Sequence, residues 1–371
     1  MSVARLSVRA WGAILAAYLL AVLVAAGSWS LPGLVDLERL AYDLRLALAA
    51  EPAPQDPRIV LVTFDEWSVA QTRRRSPLDR KTLAAALARL DRLGPRAIGV
   101  DVLFDQPGVP TDDDRLAQTL ASLRTPVFVA DDSAGAGELL KPWQRDSLHS
   151  FLERFGGAAR RGASAALFAD SDGVVRRTAP AGRRTLADAM AQTLGAPVRR
   201  EERAIDYRRP SGADEVFARL PILTLATAPD ATLALYAPLV RGRAVLVGAE
   251  LDNEDRHRTP LSLQTGRTTS GLEIQAASLA TLLDGPSPNA AFTPLFWLLA
   301  LAPPALGVLV GLLRLPAWAR VLIVLGTTTA VALAAWAWEL QPGVQTYGLP
   351  IVGPAAAWLF TGLVAGAASA A

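Results

Sequence analysis

Four apolar stretches without a single charge bracket one polar block of about 260 residues, one lying before it and three after. Nothing else in the chain constrains the fold as strongly. A helix rising about 1.5 Å per residue needs roughly 20 apolar residues to cross a hydrocarbon core of about 30 Å. Residues 10–30, 292–313, 321–338 and 349–370 each come close to that length, and Trp11, Tyr18 and Trp29 suit interfacial anchors of the first. Pro303, Pro304, Pro350 and Pro354 are tolerated as kinks or end positions. The expectation is therefore a tip and first span over residues 1–30, a folded domain over 31–291, and three further spans over 292–371.

Arg5 and Arg9, followed by the small residues Ala25, Ala26, Gly27 and Ser28, would equally serve a cleaved leader, but an apolar run this long favours retention. Cationic loops face the cytoplasm. Arg5 and Arg9 precede the first span, Arg314 and Arg320 separate the second and third, and only Glu339 lies between the third and fourth. Both termini are thus expected in the cytoplasm and the polar block on the far side of an inner membrane, with the lipid bilayer as first partner. Polar or charged residues inside the spans, which a transporter needs, are almost absent.

The chain has no Cys and only His149 and His257, which removes disulfides, thiolate metal sites and cysteine nucleophiles and leaves little imidazole chemistry. A net charge of +2 with no basic, aromatic-interleaved stripe excludes a nucleic-acid surface.

After the first span, Leu37, Leu40, Ala41, Leu44 and Leu48 recur at helical spacing and predict a juxtamembrane helix, which Pro52, Pro54 and Pro57 end. Then IVLVTF, from Ile59, is a continuous β-rich run of the kind a sheet buried on both faces requires. Ser76, Pro77 and Asp79 look like a helix start, Leu83, Leu87 and Leu90 its buried face, and residues 97–104 a second strand. Strand, helix, strand implies a right-handed crossover and a parallel pair. A helix over 112–123, a strand over 126–130, a strand over 244–248 and a helix over 271–283 extend the pattern. The expected class is α/β with a mainly parallel sheet. Residues 131–163 and 195–218 lack a clear period and read as loops or an inserted layer.

These runs carry a resemblance. IVLVTFDEWS, SPLDRKTLAAALARL and PRAIGVDVLFDQP with Asp112, Asp113 and Asp114, then SDGVVR from Ser171 to Arg176, GRAVLVGAELDNEDRHRTPL and SGLEIQAASLATLLDG, resemble the CHASE2 extracytoplasmic sensor domain in order and spacing. The layout of one span before and three after is also the family's. Ser76 departs from it, standing where the family often has Trp. The resemblance implies an input module of bacterial signalling, usually joined to a cyclase or a kinase. No phosphate-binding loop, kinase histidine box or cyclase aspartate pair stands in this chain, so the expectation is a receptor that is not itself an enzyme and that signals to a separate cytoplasmic effector. The input half of a truncated cyclase or sensor kinase is the alternative.

Candidate ligand residues follow from sheet geometry. Loops at the carboxyl ends of parallel strands converge on a crevice, so Asp65, Glu66, Asp101 and Asp105 would share one pocket, joined by Asp252, Asp255, Arg258 and Thr259 and, from the family's central turn, Arg176. Converging carboxylates suit a cationic ligand, a hard cation or a metal-assisted hydrolase; the plainer reading is that they cap helices and bind backbone amides. The metal question stays open and no cofactor is expected. Asp170, Asp172 and Gly173 imitate a calcium loop but lack its later ligands, and read as a tight turn. Two glycine pairs, Gly307 with Gly311 and Gly362 with Gly366, place small residues on one helix face, which would serve a homodimer or packing within one subunit.

Overall fold

The computed structural model describes residues 6–49, 52–133, 140–154, 162–180, 182–198, 201–211, 215–285, 294–313 and 347–370, with scattered positions between 315 and 333. The chain forms two compact units, residues 1–50 with 286–371 and residues 51–285.

The first unit opens with α1 (Val8–Gly27), a short 3-10 turn, and α2 (Leu34–Ala49). The second unit then runs β1 (Ile59–Phe64), α3 (Glu66–Thr72), α4 (Arg80–Leu93), β2 (Ala97–Asp101), α5 (Pro110–Ser122), β3 (Val127–Asp131), α6 (Pro142–Glu153) and β4 (Gly162–Ser164). It continues through α7 (Leu186–Thr193), β5 (Ala218–Pro221), α8 (Ile222–Thr227), β6 (Ala244–Ala249), the short strands β7 (Arg256–His257) and β8 (Thr269–Ser270), and α9 (Gly271–Leu283). The first unit is completed by α10 (Pro294–Leu312) and α11 (Val352–Ala370).

Six strands form one sheet in the order β4-β3-β2-β6-β1-β5, every neighbouring pair parallel. The sheet is α/β as expected. β1, β3 and nearly all of β2 and β6 are buried, which is why their sequences are apolar throughout rather than alternating. One face, with Val60, Val62, Ile98, Val100, Val245 and Val247, packs against Leu83, Leu87 and Leu90 of α4, Leu116 and Leu120 of α5, and Ile222 and Leu225 of α8. α7 and α9 cover the other. Gly99 makes that second layer fit: a Cβ there would stand 2.4 Å from Met190 Sδ of α7 and 2.9 Å from Leu246 Cδ2.

The start of α4 differs from expectation. Asp79, not Ser76, is the cap, its carboxylate accepting from Thr82 N at 3.0 Å and Thr82 Oγ1 at 2.6 Å, while Ser76–Pro77 is a cis peptide. The stretches read as loops also contain α6, β4 and the strand pair Pro52–Ala53 with Arg209–Pro210.

In the first unit, three described helices are long and apolar enough to cross a membrane: Val8–Ala26, Pro294–Leu312 and Val352–Ser369. The expected span over 321–338 lies largely outside the described residues. α1 turns Ile14, Ala17, Ala21 and Ala25 inward and leaves Trp11, Leu15, Leu19 and Leu23 exposed. The glycine pairs are used within the subunit. A Cβ on Gly307 would meet Thr361 Oγ1 at 2.2 Å, and one on Gly311 would meet Gly362 O at 2.6 Å and Ala365 Cβ at 2.7 Å. In this structure α10 and α11 meet across that face, in the close approach that small residues allow.

On α2 the leucine stripe faces outward. Leu37, Leu40, Leu44 and Leu48 are exposed, whereas Glu38, Tyr42, Asp43 and Ala47 are buried. The inward face carries charge because Glu38 accepts backbone hydrogen bonds at the start of α11.

Candidate functional site

The carboxyl ends of the central strands β1, β2 and β6 gather the acidic residues, but not into one pocket. Asp65 is the N-cap of α3 and accepts from Ser68 N at 2.8 Å and Ser68 Oγ at 2.6 Å. Its lone pairs serve the first turn of the helix, the capping role that Asp fills wherever orphan amides need an acceptor. Glu66, one residue on, reaches the loop after β6, accepting from Asp252 N at 3.3 Å and pairing with Arg75, which also pairs with Glu254. The structure thus joins Glu66 with Asp252 and sets Asp65 apart.

Asp105 is drawn away as well. Its Oδ2 accepts from Gln144 Nε2 of α6 at 2.5 Å. The neighbouring Arg80 lies buried against the packed pair of Phe104 and Phe151 rings, 5.2 and 5.0 Å from their centroids, and pairs with Asp113 at 2.6 Å. That arrangement fixes the loop after β2, and Asp105 belongs to it.

Asp101 ends β2 and is half-buried beside Gly248 of β6, where a Cβ would lie 3.2 Å from that of Asp101. No described residue donates a hydrogen bond to its carboxylate. Burial, reinforced by the negative charge of Asp255 and only partly relieved by His257, pushes the carboxyl up to about 7. Asp255 is itself unusual: it sits in the left-handed region at φ 49° and accepts from His257 Nε2 at 2.7 Å. Its carboxylate rests on the first residue of α9, so close that a Cβ on Gly271 would come within 2.0 Å of Asp255 Oδ2. Only glycine at 271 admits this placement, which sets an anion against the positive end of the helix. Among the described residues, the fold brings two of the expected acids, Asp101 and Asp255, together with His257 around a carboxylate that none of them satisfies.

Arg258 and Thr259 follow on the same segment without joining that group. The Arg258 carbonyl accepts from Val175 N at 2.9 Å, which seats the turn from Asp170 to Gly173 against the sheet; its guanidinium is exposed. Thr259 is buried, its amide donating to Ser262 Oγ at 3.0 Å. Arg176 is 1% exposed and bonds Asp170 at 2.8 Å and Asp172 at 2.6 Å. Both carboxylates precede Gly173, which sits at φ 78°, so Arg176 staples a tight turn, in line with the turn reading of that segment.

A second acidic knot went unread in the sequence. Arg219 of β5 binds Glu250 at 2.8 and 2.9 Å and Glu273 at 2.8 Å, with Ser270 Oγ donating to Glu250 at 3.3 Å. Burial, together with the charge of Glu250, raises the Glu273 carboxyl despite the opposing Arg219. The sequence signal was the S-x-x-E pattern from Ser270 to Glu273, which reads as a capping box. Ser270 does cap, accepting from Glu273 N at 3.3 Å, but the Glu273 side chain goes to Arg219. The described residues also enclose a small cavity between Phe168, Thr178, Gln275 and Ser278, away from the acids and with space for about 10 Å³. Among the described residues, no three His, Asp or Glu side chains are placed to hold a metal ion.

No curated protein and no solved structure matches the chain. The CHASE2 domain model matches residues 17–314, from within α1, across the whole α/β unit and just past α10. The all-parallel sheet with its flanking apolar helices and this match over most of the chain agree, and the chain belongs to the CHASE2 family of extracytoplasmic sensor domains.

Proposed function

We propose that this protein is a membrane-held sensor whose α/β domain takes a cationic group, on a small ligand or a partner protein, at Asp101 and Asp255. The observation that carries it is the Asp101 carboxylate, held at the carboxyl end of a central strand without a hydrogen-bond donor among the described residues. A carboxylate kept partly out of water and next to a second one is destabilised until a positive group arrives, and such strained groups cluster at functional sites. Glu66 and Arg258 stand on segments that follow the same central strands and are candidates for secondary contacts; Arg176 and Thr259 hold the surrounding loops.

Four spans, with both termini in the cytoplasm and residues 31–291 outside, complete the reading. It is supported by the three apolar helices, by their outward-facing Leu and Trp residues and by the cationic bias of the loops. Ligand binding shifts the population of two arrangements by the difference in its affinity for them, and the spans carry that difference to a separate effector. The metal-assisted hydrolase reading is favoured by no arrangement among the described residues.

A thermal-shift screen of the full chain in detergent, against magnesium, calcium and linear polyamines at pH 8, tests the site. At least one probe should raise the melting temperature of the unmodified protein and fail to do so for Asp101→Asn. Equal shifts for both proteins would remove Asp101 from the site. Fusing a periplasm-active reporter enzyme and a fluorescent protein at Ser171 tests the topology; fluorescence without enzyme activity would place the domain in the cytoplasm.

A further inference from the structure

We propose that Glu38 locks the helix that follows the first span to the first turn of the last span, so that a displacement of α2 reaches α11 directly. Glu38 is 1% exposed, on the inward face of α2. Its carboxylate accepts from Ser28 Oγ at 2.7 Å, from Ile351 N at 2.9 Å and from Gly353 N at 2.9 Å. Ile351 and Gly353 are the residue before α11 and its second residue, two of the amides that a helix N-terminus leaves without an internal acceptor. The negative charge thus sits at the positive end of α11, where it satisfies the orphan donors and offsets its own burial.

Three elements meet at this one side chain, though more than 300 residues separate Glu38 from α11 along the sequence. Ser28 belongs to the turn that ends α1, Glu38 to α2, and Gly353 to α11. Gly353 is what lets them close up: a Cβ there would stand 2.5 Å from Ser28 Cβ and 3.2 Å from Ala25 Cα. Around the carboxylate, Trp29 Nε1 donates to Leu349 O at 3.0 Å, and the Tyr347 ring lies 4.6 Å from Trp29 and 5.1 Å from Tyr42 between centroids. Tyr42 is four residues from Glu38 on the same face of α2. Ring contacts of this kind slide, whereas a carboxylate bonded to two backbone amides and a hydroxyl fixes direction. Glu38 is therefore the positioning residue through which movement of α2 is imposed on the last span. This lies entirely within one unit and holds whatever the α/β domain binds.

The test uses the full chain in lipid nanodiscs. Leu40 and Leu44, 46% and 45% exposed, are one turn apart on the outer face of α2, so Leu40→His with Leu44→His creates a zinc clamp that stiffens α2 from outside. Zinc is raised until amide hydrogen exchange within α2 slows, and exchange of the segment 347–356 is then read by mass spectrometry. With Glu38 present, zinc should slow exchange of that segment several-fold. In the Glu38→Ala background the slowing should vanish, and Glu38→Gln, which keeps one acceptor oxygen, should retain part of it and serves alone if the alanine variant aggregates. Equal slowing without the carboxylate, or none with it, overturns the proposal. Neither result depends on a ligand, so failure here is separable from failure of the proposed sensor site.

Discussion

Replacing Asp101 by Asn should stabilise the protein at high pH and leave it unchanged at low pH. The folded state holds the Asp101 proton up to about pH 7, against an ordinary value of 3.8. The folded protein therefore binds more protons than the unfolded chain between these limits, and stability falls as pH rises from about 4 to about 7, then levels off. A difference of about three pH units at 1.36 kcal/mol each sets a ceiling of about 4 kcal/mol. Asp101 is half-buried, so water screens part of this, and roughly 1–3 kcal/mol is the expected gain for Asn at pH 8. Asn keeps the shape and loses the charge. Urea unfolding in detergent, followed by tryptophan fluorescence at pH 4.5, 6 and 8, gives the comparison. Coincident curves at pH 4.5 that separate progressively up to pH 8 are expected, with the variant the more stable. If Asn instead costs the same stability at every pH, the carboxylate is an acceptor satisfied by the fold, and the reasoning that makes it a waiting site fails.

Substitutions at two further positions test the scaffold around it. Gly99→Ala should cost about 1–2 kcal/mol, because its methyl already crowds Met190 and Leu246, and Gly99→Val about 3, because a branched side chain adds volume against the same buried neighbours and Leu186; unchanged urea midpoints would mean that α7 does not press on the sheet there. Arg176→Met should cost about 3 kcal/mol, the low end for breaking a buried pair, because Arg177 still reaches Asp170 at 2.7 Å. A melting temperature within a degree of the unmodified protein would show that the turn holds without its staple.

The strands that the sequence made legible are the central ones. IVLVTF and AVLVG are continuous apolar runs, and burial on both faces is what such runs encode. β4 and β5 escaped because edge strands of three and four residues need no such run, and β5 carries Arg219 and Pro221. α7 was missed because Leu186 through Met190 are all buried, which leaves no polar face to set a period. At the site, the rule that loops meet at carboxyl strand ends grouped Asp101 with Asp255, and these two do lie close enough to interact. It did not separate them from Asp65, although Ser68 three residues on is a capping signal, or from Asp105, whose partner lies on a helix the sequence did not reveal. The stripe of leucines on α2 gave no sign of Glu38, because an acid buried to cap a remote helix leaves no local mark.

One more feature reaches beyond binding. Asp56 and Arg58, just ahead of the first sheet strand, and Asp284, just past α9, meet in one ionic knot with Arg208, with Arg58 at 2.6 Å from Asp56 and 2.7 Å from Asp284. Burial alone would lift the Asp56 carboxyl, but the hydrogen bonds and charge of Arg58 hold it below its usual value. The two places where the polypeptide comes into the α/β unit and departs from it are therefore neighbours, fastened by that unit's own side chains. A body with adjacent ends can be lifted out of one polypeptide and spliced into another without stretching either host, and its ends can be joined and reopened elsewhere. Adjacent ends fastened in this way are the geometry such a transfer requires.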